Sequence, residues 1–252
     1  MAKAEKTRSK TKSTARKRRK KGAVAKGPFR PLRWAGFILL RGTATLIVCV
    51  MVMVVIYSIV NPPTTHTIWS EARRLGSVDR EWVPIEDIAP EMARSVVAAE
   101  DANFCLHWGF DVQAIRAAME GGGARGGSTI TQQVVKNVFL WQGRSWIRKA
   151  LEAAITPAVE AVWSKRRIIE VYLNIAEMGE GVFGVEAAAR RFFNVGPEAL
   201  SPKQAALIAA VLPSPKTRSA AKPSASVRRR AVSIADGAAT IRADGRSACF
   251  ED

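Results

Sequence analysis

Histidine and cysteine are both scarce in this chain of 252 residues. The two histidines are His66 and His107, and so small a number disfavours a His-based catalytic triad or a multi-His metal site. The three cysteines show no metal-ligand spacing and are too few for a disulfide scaffold. Any chemistry in this protein must therefore be carried by carboxylates and cationic side chains.

Basic charge is concentrated at one end of the chain. Residues 1–41 hold 15 of the 39 Lys and Arg but only one of the 22 acidic residues, which is a net charge of +14. The rest of the chain contributes only +3 of the total of +17. A basic tail joined to a nearly neutral body argues against a nucleic-acid-binding domain, and we expect no nucleic-acid partner. The hydrophobic content of 48% is sufficient for a packed core in one or two domains.

One long uncharged run, Gly42–Val60, is rich in Val, Ile, Met and Leu. As an α-helix of 19 residues it would reach roughly 28 Å, about the thickness of a hydrocarbon core. Because Arg41 can snorkel to the interface, the predicted membrane span covers 37–60. A buried core helix and a cleaved signal peptide are the alternatives, although Asn61-Pro62-Pro63 offers no small-residue cleavage site.

The charges on either side of this span predict its orientation. Lys and Arg crowd the N-terminal side, whereas the first charged residue after the span is Glu71. The positive-inside rule therefore predicts a basic cytoplasmic tail over 1–36 and a body on the other side of the membrane. Cys105 and Cys249 would then lie in an oxidising space and could pair, but the sequence does not give their separation.

Helical patterns dominate the body, and the sustained alternation that is typical of strands is scarce, so the predicted fold class is all-α. Capping signals at Thr129 and Ser201 each begin a predicted helix. The helices are predicted over 90–101, 129–141, 145–156, 157–177, 184–193, 202–212 and 227–235. A linker over 61–68 precedes a domain over 69–236, and 237–252 is predicted to be a flexible tail. The glycine-rich stretch Gly121–Gly127 is either a flexible loop or a lid that moves over a substrate.

Glu100 is the main candidate for acid–base chemistry. It lies one helical turn after Val96 and Val97, and apolar neighbours that exclude water raise the pKa of a carboxylate. Such a group suits a general base or a general acid. The alternative from its position alone is a surface glutamate that pairs with an arginine.

A second candidate site is cationic. Arg144, Arg148 and Glu152 have i, i+4, i+8 spacing, which places them on one face of a helix. The preceding helix and its start add hydroxyl, amide and ammonium groups, which are donors that suit a phosphate. These donors are Ser128, Thr129, Gln132, Gln133 and Lys136. From spacing alone, a set of solvated surface ion pairs is the alternative.

Five segments then follow one another in the order of a known set of motifs. They are Glu100-Asp101-x-x-Phe104-x-x-His107-x-Gly109-x-Asp111, Gly127-Ser128-Thr129-Ile130-Thr131-Gln132-Gln133-x-x-Lys136-Asn137, Arg148-Lys149-x-x-Glu152, the stretch from Lys165 to Phe193 that includes Glu170 and Asn174, and Leu200–Pro213. Together they resemble the peptidoglycan glycosyltransferases, glycosyltransferase family 51. The resemblance covers about Trp69–Ala235 and leaves no room for a transpeptidase domain, so a monofunctional enzyme is expected.

This resemblance implies a lysozyme-like α-helical fold with a small mobile lobe near the membrane. It implies lipid II and a growing undecaprenyl-diphosphate glycan chain as substrates, with other cell-wall or division proteins as further candidate partners. It also implies the bacterial inner membrane as the location, with the catalytic domain in the periplasm. The sequence requires no cofactor, although a divalent Mg or Mn ion at the pyrophosphate is compatible with the resemblance.

The resemblance also implies a role for each matching residue. Glu100 would deprotonate the GlcNAc 4-hydroxyl of the acceptor, which attacks and inverts the donor carbon to give a β-1,4 link, and Glu152 would help to hold the pyrophosphate. The substrate-binding set would be Ser128, Gln132, Gln133, Lys136, Arg144, Arg148 and, as a loose match, Arg116. The residues that shape the site would be Asp101, Phe104, His107, Glu170 and Asn174. The alternatives are a lysozyme-like lytic transglycosylase that cleaves glycan strands and an inactive membrane scaffold of the cell-wall machinery.

Overall fold

The computed structural model describes residues 31–120, 127–143 and 145–251. Among these residues, helices far outnumber strands, which confirms the all-α prediction. The helices are α1 (Pro31–Tyr57), α2 (His66–Leu75), α3 (Pro90–Glu100), α4 (Val112–Glu120), α5 (Ile130–Phe139), α6 (Trp146–Val162), α7 (Lys165–Ile175), α8 (Val185–Phe193), α9 (Pro202–Val211), α10 (Ala225–Ala243) and α11 (Ala248–Glu251). The strands are β1 (Asp79–Arg80), β2 (Glu177–Gly179) and β3 (Val182–Phe183).

The helix α1 contains most of the predicted membrane span. Its segment Trp34–Tyr57 has 24 residues, is apolar enough to cross a membrane and is only 6% buried. Exposed apolar side chains such as that of Leu39 are compatible with lipid, which offers no hydrogen bonds. The helix ends at Tyr57, three residues before the predicted end of the span, although the Val60 N–H still donates to the Ile56 carbonyl; Pro62 and Pro63 then exclude any longer helix.

The C-terminal turns of α1 are tied to the body by hydrogen bonds. The indole N–H of Trp163 donates to the Val54 carbonyl at 2.8 Å. The Arg167 guanidinium donates to the carbonyls of Tyr57 and Val60, so it satisfies acceptors that the helix end leaves unpaired. The predicted linker is also shorter than expected, because the Thr65 side chain caps α2 and this helix begins at His66.

The core of the body is built on two groups of helices. α3 packs against both α9 and α10, and α5 packs against both α6 and α7. Fully buried side chains in these helices include Met92, Val96, Ile130 and Ile208. The three short strands form one sheet in the order β1-β3-β2, with β1 parallel and β2 antiparallel to β3.

Two helix starts agree with the capping signals in the sequence. The Thr129 side chain accepts from the Gln132 N–H, and the Gln132 side chain accepts from the Thr129 N–H, which is a complete capping box at α5. Ser201 and Gln204 form the same arrangement at α9. The second motif lies on α5, and the sequence predicted the C-terminal end of this helix to within two residues.

The predicted helix break at Thr156-Pro157 is wrong. α6 continues through Pro157, and the Thr156 hydroxyl donates to the Glu152 carbonyl at 2.7 Å within the same helix. The break falls instead at Trp163 and Ser164, where the Ser164 side chain accepts from the Arg167 N–H and begins α7.

The prediction of a flexible tail over 237–252 is also wrong. α10 continues to Ala243, and α11 follows with Phe250 only 1% exposed. A disulfide joins Cys105 to Cys249, and Phe250 packs against Phe104 with ring centroids 6.3 Å apart. The segment buries Ile241 and Phe250 in the core, and the cross-link joins it to a residue 144 positions away.

Candidate active site

Glu100 is the last residue of α3, and its side chain is 16% exposed. Its Oε2 accepts a hydrogen bond of 3.0 Å from Gln133 Nε2, and Tyr172 in turn donates its hydroxyl to Gln133 Oε1 at 3.4 Å. Burial raises the pKa of Glu100, whereas the Gln133 hydrogen bond and the charges of Arg230 and Lys136 oppose that rise. These hydrogen bonds therefore fix a largely desolvated carboxylate as an acceptor, as a general base requires.

Asp101 connects the end of α3 to the start of α5 and to the loop after α3. Its Oδ2 accepts from the Ile130 N–H at 3.0 Å, and its Oδ1 lies 2.7 Å from His107 Nε2. These contacts join the end of α3 to the start of α5, so the carboxylate and the donors on α5 have a fixed separation. Asp101 and His107 therefore fix the loop beside Glu100 in the fold, and their role in shaping the site stays a prediction.

The loop after α3 is closely packed. Phe104 is fully buried, and Lys165 Nζ lies 4.4 Å from the centre of its ring. Gly109 has φ +77°, and a Cβ there would lie 2.4 Å from Thr156 Cγ2, so only glycine fits this position. The Gly109 carbonyl accepts from the Thr129 hydroxyl at 2.7 Å, which adds a further tie to the start of α5.

A cavity of about 250 Å³ opens beside the carboxylate, and its lining includes Glu100, Gly127 and Ser128. A second, more polar cavity of about 350 Å³ is lined by Gln133, Lys136 and Tyr172 among others. Glu100 lines the first cavity and its hydrogen-bond partner Gln133 lines the second, so the two cavities are linked by that contact.

Lys136 lies among charged groups that all affect its protonation. Burial lowers the pKa of Lys136, the cations Arg148 and Lys149 lower it further, and Glu152 and Glu100 raise it. A positive group that is partly desolvated among other cations is favoured when an anion binds beside it. The surroundings of Lys136 therefore favour an anionic ligand.

Glu152 is a buried anion between two cations. Its side chain is only 3% exposed, Arg148 Nη1 donates to its Oε2 at 2.7 Å, and Lys149 donates to its Oε1. Lys149 also donates to Ser128 Oγ at 3.2 Å. In the described part of the chain, Lys136, Arg148 and Lys149 thus surround one carboxylate and leave a net charge of about +2 for an anionic ligand.

A family model described as a transglycosylase matches residues 68–239. The chain belongs to the transglycosylase family. A biosynthetic peptidoglycan transglycosylase of Jannaschia sp. (strain CCS1) is 61% identical over 218 residues, which cover 86% of this chain and 90% of that protein. A biosynthetic peptidoglycan transglycosylase of Rhodospirillum centenum is 45% identical over 218 residues, which cover 84% of this chain and 93% of that protein.

Membership of the transglycosylase family confirms the resemblance that the sequence motifs carried, with a lysozyme-like, mainly helical domain. All of the motif residues quoted above from Glu100 to Pro213 lie inside the matched range. The protein is an enzyme of this family, and its candidate site is the carboxylate and cation arrangement around Glu100 and Lys136.

Two of the predicted substrate-binding residues have other surroundings in this transglycosylase. Gln132 is 4% exposed and its side-chain oxygen caps α5, and its contact with substrate stays a prediction. Arg116 is exposed on α4 and does not line either cavity beside Glu100. Arg144 and most of the predicted lid, 121–126, lie outside the described residues.

Two residues of the fourth motif support the fold of this transglycosylase. Glu170 pairs with Arg167 at 3.1 Å. Asn174 is fully buried and exchanges hydrogen bonds of 2.8 Å with both the N–H and the carbonyl of Val83. Asn174 therefore holds α7 against the segment before α3, whereas Glu170 pairs within α7, and neither side chain bonds to the Glu100 carboxylate.

A divalent metal on Glu152 does not fit the donor set of this transglycosylase. Both carboxylate oxygens already accept from cationic side chains, and a metal ion would add positive charge beside Lys136, Arg148 and Lys149. Asp101, His107 and Asp111 have potential ligand atoms within 4.8 Å of one another. The carboxylate oxygens of both aspartates already have hydrogen-bond partners within the protein. Asp111 accepts from Asn103 Nδ2 and the Ala114 N–H, and Asp101 has the partners described above.

Two residues beside the site were assigned no role in the sequence analysis. Lys149 follows Arg148 in the third motif, and the i, i+3 spacing to Glu152 was the signal that could have found it. Arg230 lies near Glu100 although 130 positions separate them, and no local pattern could have revealed that contact.

Proposed function

We propose that this transglycosylase-family enzyme polymerises lipid II into the β-1,4-linked glycan strands of peptidoglycan. The observation that carries the proposal is the desolvated Glu100 carboxylate, fixed by Gln133 close to a cationic cluster with net positive charge. The printed names of the relatives, biosynthetic peptidoglycan transglycosylases, support this substrate class. A neutral finished glycan needs no such cationic cluster, which disfavours a lytic enzyme.

In the proposed reaction, Glu100 accepts the proton of the GlcNAc 4-hydroxyl of the acceptor. The oxygen attacks the anomeric carbon of the donor on the face opposite the diphosphate, so a carbon–oxygen bond to the acceptor forms as the bond to the diphosphate breaks. The leaving undecaprenyl diphosphate carries away the bonding electron pair and the configuration at carbon is inverted. Glu100 then releases its proton to solvent.

The cations supply the second half of the proposed catalysis. A diphosphate gains charge as its bond to the sugar breaks, so fixed positive groups stabilise the transition state more than the bound substrate. Lys136, Arg148 and Lys149 would meet this charge, with Glu152 holding Arg148 and Lys149 in position. Ser128 and Gln133 have polar atoms at the same cavities and would contact the sugars or the phosphates.

The proposed location follows from the same reaction. A substrate that carries a lipid tail is confined to a membrane, and a single apolar helix over Trp34–Tyr57 is consistent with an anchor there. We place the basic tail in the cytoplasm and the catalytic domain in the periplasm of the bacterial inner membrane. The disulfide between Cys105 and Cys249 supports an oxidising compartment for the domain.

Incubation of the full chain with lipid II alone tests the proposal. We expect a ladder of glycan polymers that a muramidase digests. Cleavage of preformed glycan without polymerisation would instead indicate a lytic enzyme. Neither activity, in a protein that still binds lipid II, would indicate a scaffold. Either of the last two results would contradict the proposed function.

A further inference from the structure

We propose that Arg230 on α10 is a positioning residue for Glu100: its charge keeps the carboxylate ionised while substrate occupies the site. This inference rests on the proposed role of Glu100 as general base. Arg230 would contact neither sugar nor phosphate and would act through the carboxylate alone.

Side chains from two helices, α5 and α10, flank the Glu100 carboxylate. Gln133 Nε2 on α5 donates to Oε2 of Glu100 at 3.0 Å, and Arg230 Nη2 on α10 lies 3.8 Å from Oε1. The same Nη2 donates to the Ala99 carbonyl at 3.4 Å, which holds the guanidinium at the end of α3. α10 packs against α3, so the backbone of Arg230 is fixed relative to the base.

The hydrogen bonding of Arg230 is incomplete. Its side chain is 39% exposed, yet its Nε is buried and makes no hydrogen bond among the described residues. A buried donor without a partner is destabilising, so an arginine that served stability alone would be expected to satisfy it. The separation of 3.8 Å is also too long for a hydrogen bond and is suited to a purely electrostatic effect.

Five groups from four segments face Glu100. They are Asp101, which follows it in the chain, Gln133 and Lys136 on α5, Tyr172 on α7 and Arg230 on α10. Two of them, Lys136 and Arg230, are cations that lower the pKa of Glu100, whereas burial and Asp101 raise it. Tyr172 remains neutral because burial raises the pKa of its hydroxyl.

The two cations differ once substrate binds. In the proposed function Lys136 meets a diphosphate, whose negative charges offset the effect of Lys136 on Glu100. Arg230 lies on another helix and is paired with no substrate group, so its effect on Glu100 persists. Arg230 is therefore the cation that favours the ionised base in the complex with donor and acceptor.

The test compares pH profiles of lipid II polymerisation for the full-length wild type, Arg230→Gln and Arg230→Lys. Loss of a nearby positive charge raises the pKa of a carboxylate, so the acidic limb of kcat should move to higher pH in Arg230→Gln, by about 0.5–1 unit for a partly exposed pair. Turnover should fall by up to about tenfold below this pKa and recover as the pH rises, because a one-unit shift is a tenfold change in the ionised fraction. Arg230→Lys keeps the charge and should keep the wild-type limb.

Arg229, the preceding and exposed residue of α10, provides the matched control, and Arg229→Gln should leave the profile unchanged. In a Glu100→Gln background, Arg230→Gln should not reduce the residual rate further. A uniform loss at every pH, an additional loss without Glu100, or a shifted limb in Arg230→Lys would overturn the inference. Absence of polymerisation in the wild type would instead overturn the proposed function, so the two failures are distinguishable.

Discussion

At the scale of single residues, protonation decides whether the site can work. Glu100 must be ionised to accept a proton, and burial raises its pKa above the usual value of 4.5. Activity should therefore be lost as the pH falls through this raised pKa and be retained above it. Lys136 shows the opposite shift, because burial and the neighbouring cations lower its pKa, and a bound diphosphate would restore its charge.

The cations are expected to act on one diphosphate. Lys136→Ala and Arg148→Ala should each lower turnover by about 10²-fold, as loss of a transition-state donor commonly does. The double variant should lose less than the two single free-energy losses combined, since groups that serve the same charge are not additive. Steady-state rates on lipid II for the three variants measure this coupling.

Arg190 provides the comparison with an ordinary surface pair. It is exposed and pairs with Glu186 on α8, far from the cationic cluster along the chain, so Arg190→Ala should leave turnover unchanged. Strict additivity of Lys136→Ala and Arg148→Ala would contradict a shared diphosphate. Wild-type turnover in either variant would remove that residue from the site.

At the scale of elements, the start of α5 connects the fold to the chemistry. The capping box at Thr129 fixes the first turn, Asp101 accepts from the N–H of Ile130, and the same helix carries Gln133 and Lys136. A displacement of this helix start would move both Gln133, the hydrogen-bond partner of Glu100, and Lys136.

Thr129→Ala should therefore reduce both stability and turnover. Loss of an N-cap side chain costs about 1–2 kcal/mol, and the hydrogen bond to the Gly109 carbonyl is lost with it. Ser201→Ala removes the equivalent cap from α9, which carries none of the proposed catalytic groups, and should reduce stability alone. Thermal unfolding and turnover on lipid II separate the two effects, and equal turnover losses in both variants would contradict the special role of α5.

Local signals in the sequence predicted most of these elements. The boxes at Thr129 and Ser201 and the proline at position 90 each mark a helix start that the structure reproduces. Pro157 misled the prediction, because a proline usually ends a helix whereas α6 accommodates it. Contacts between distant segments, such as that of Arg230 with Glu100, produce no local pattern of residues in a single sequence and could not be predicted.

At the scale of the whole molecule, a disulfide ties the C-terminal segment to the loop after α3. Cys105 lies five residues after Glu100, and its partner Cys249 lies in α11 with a Cα–Cα distance of 5.7 Å. Arg166 further donates to the carbonyls of Phe250 and Glu251. The segment predicted to be flexible is therefore a structural support of the first motif.

Replacement of both cysteines by alanine should lower the free energy of unfolding by about 2–5 kcal/mol, the range for a native disulfide that closes a long loop. Chemical unfolding of the purified protein with and without a reductant measures the loss. Cys49→Ala removes the free thiol and should change nothing, so it is the matched control. An unfolding free energy that is indifferent to reductant would contradict the structural role of the cross-link.

The central claim is that Glu100 is the base of a polymerising transglycosylase, and Glu100→Gln tests it most directly. The amide keeps the size of the side chain and can still accept from Gln133, but it cannot take a proton. We expect polymerisation of lipid II to fall by about 10²–10⁴-fold, with thermal stability and lipid II binding retained. Near-wild-type turnover of Glu100→Gln under the same conditions would contradict the claim.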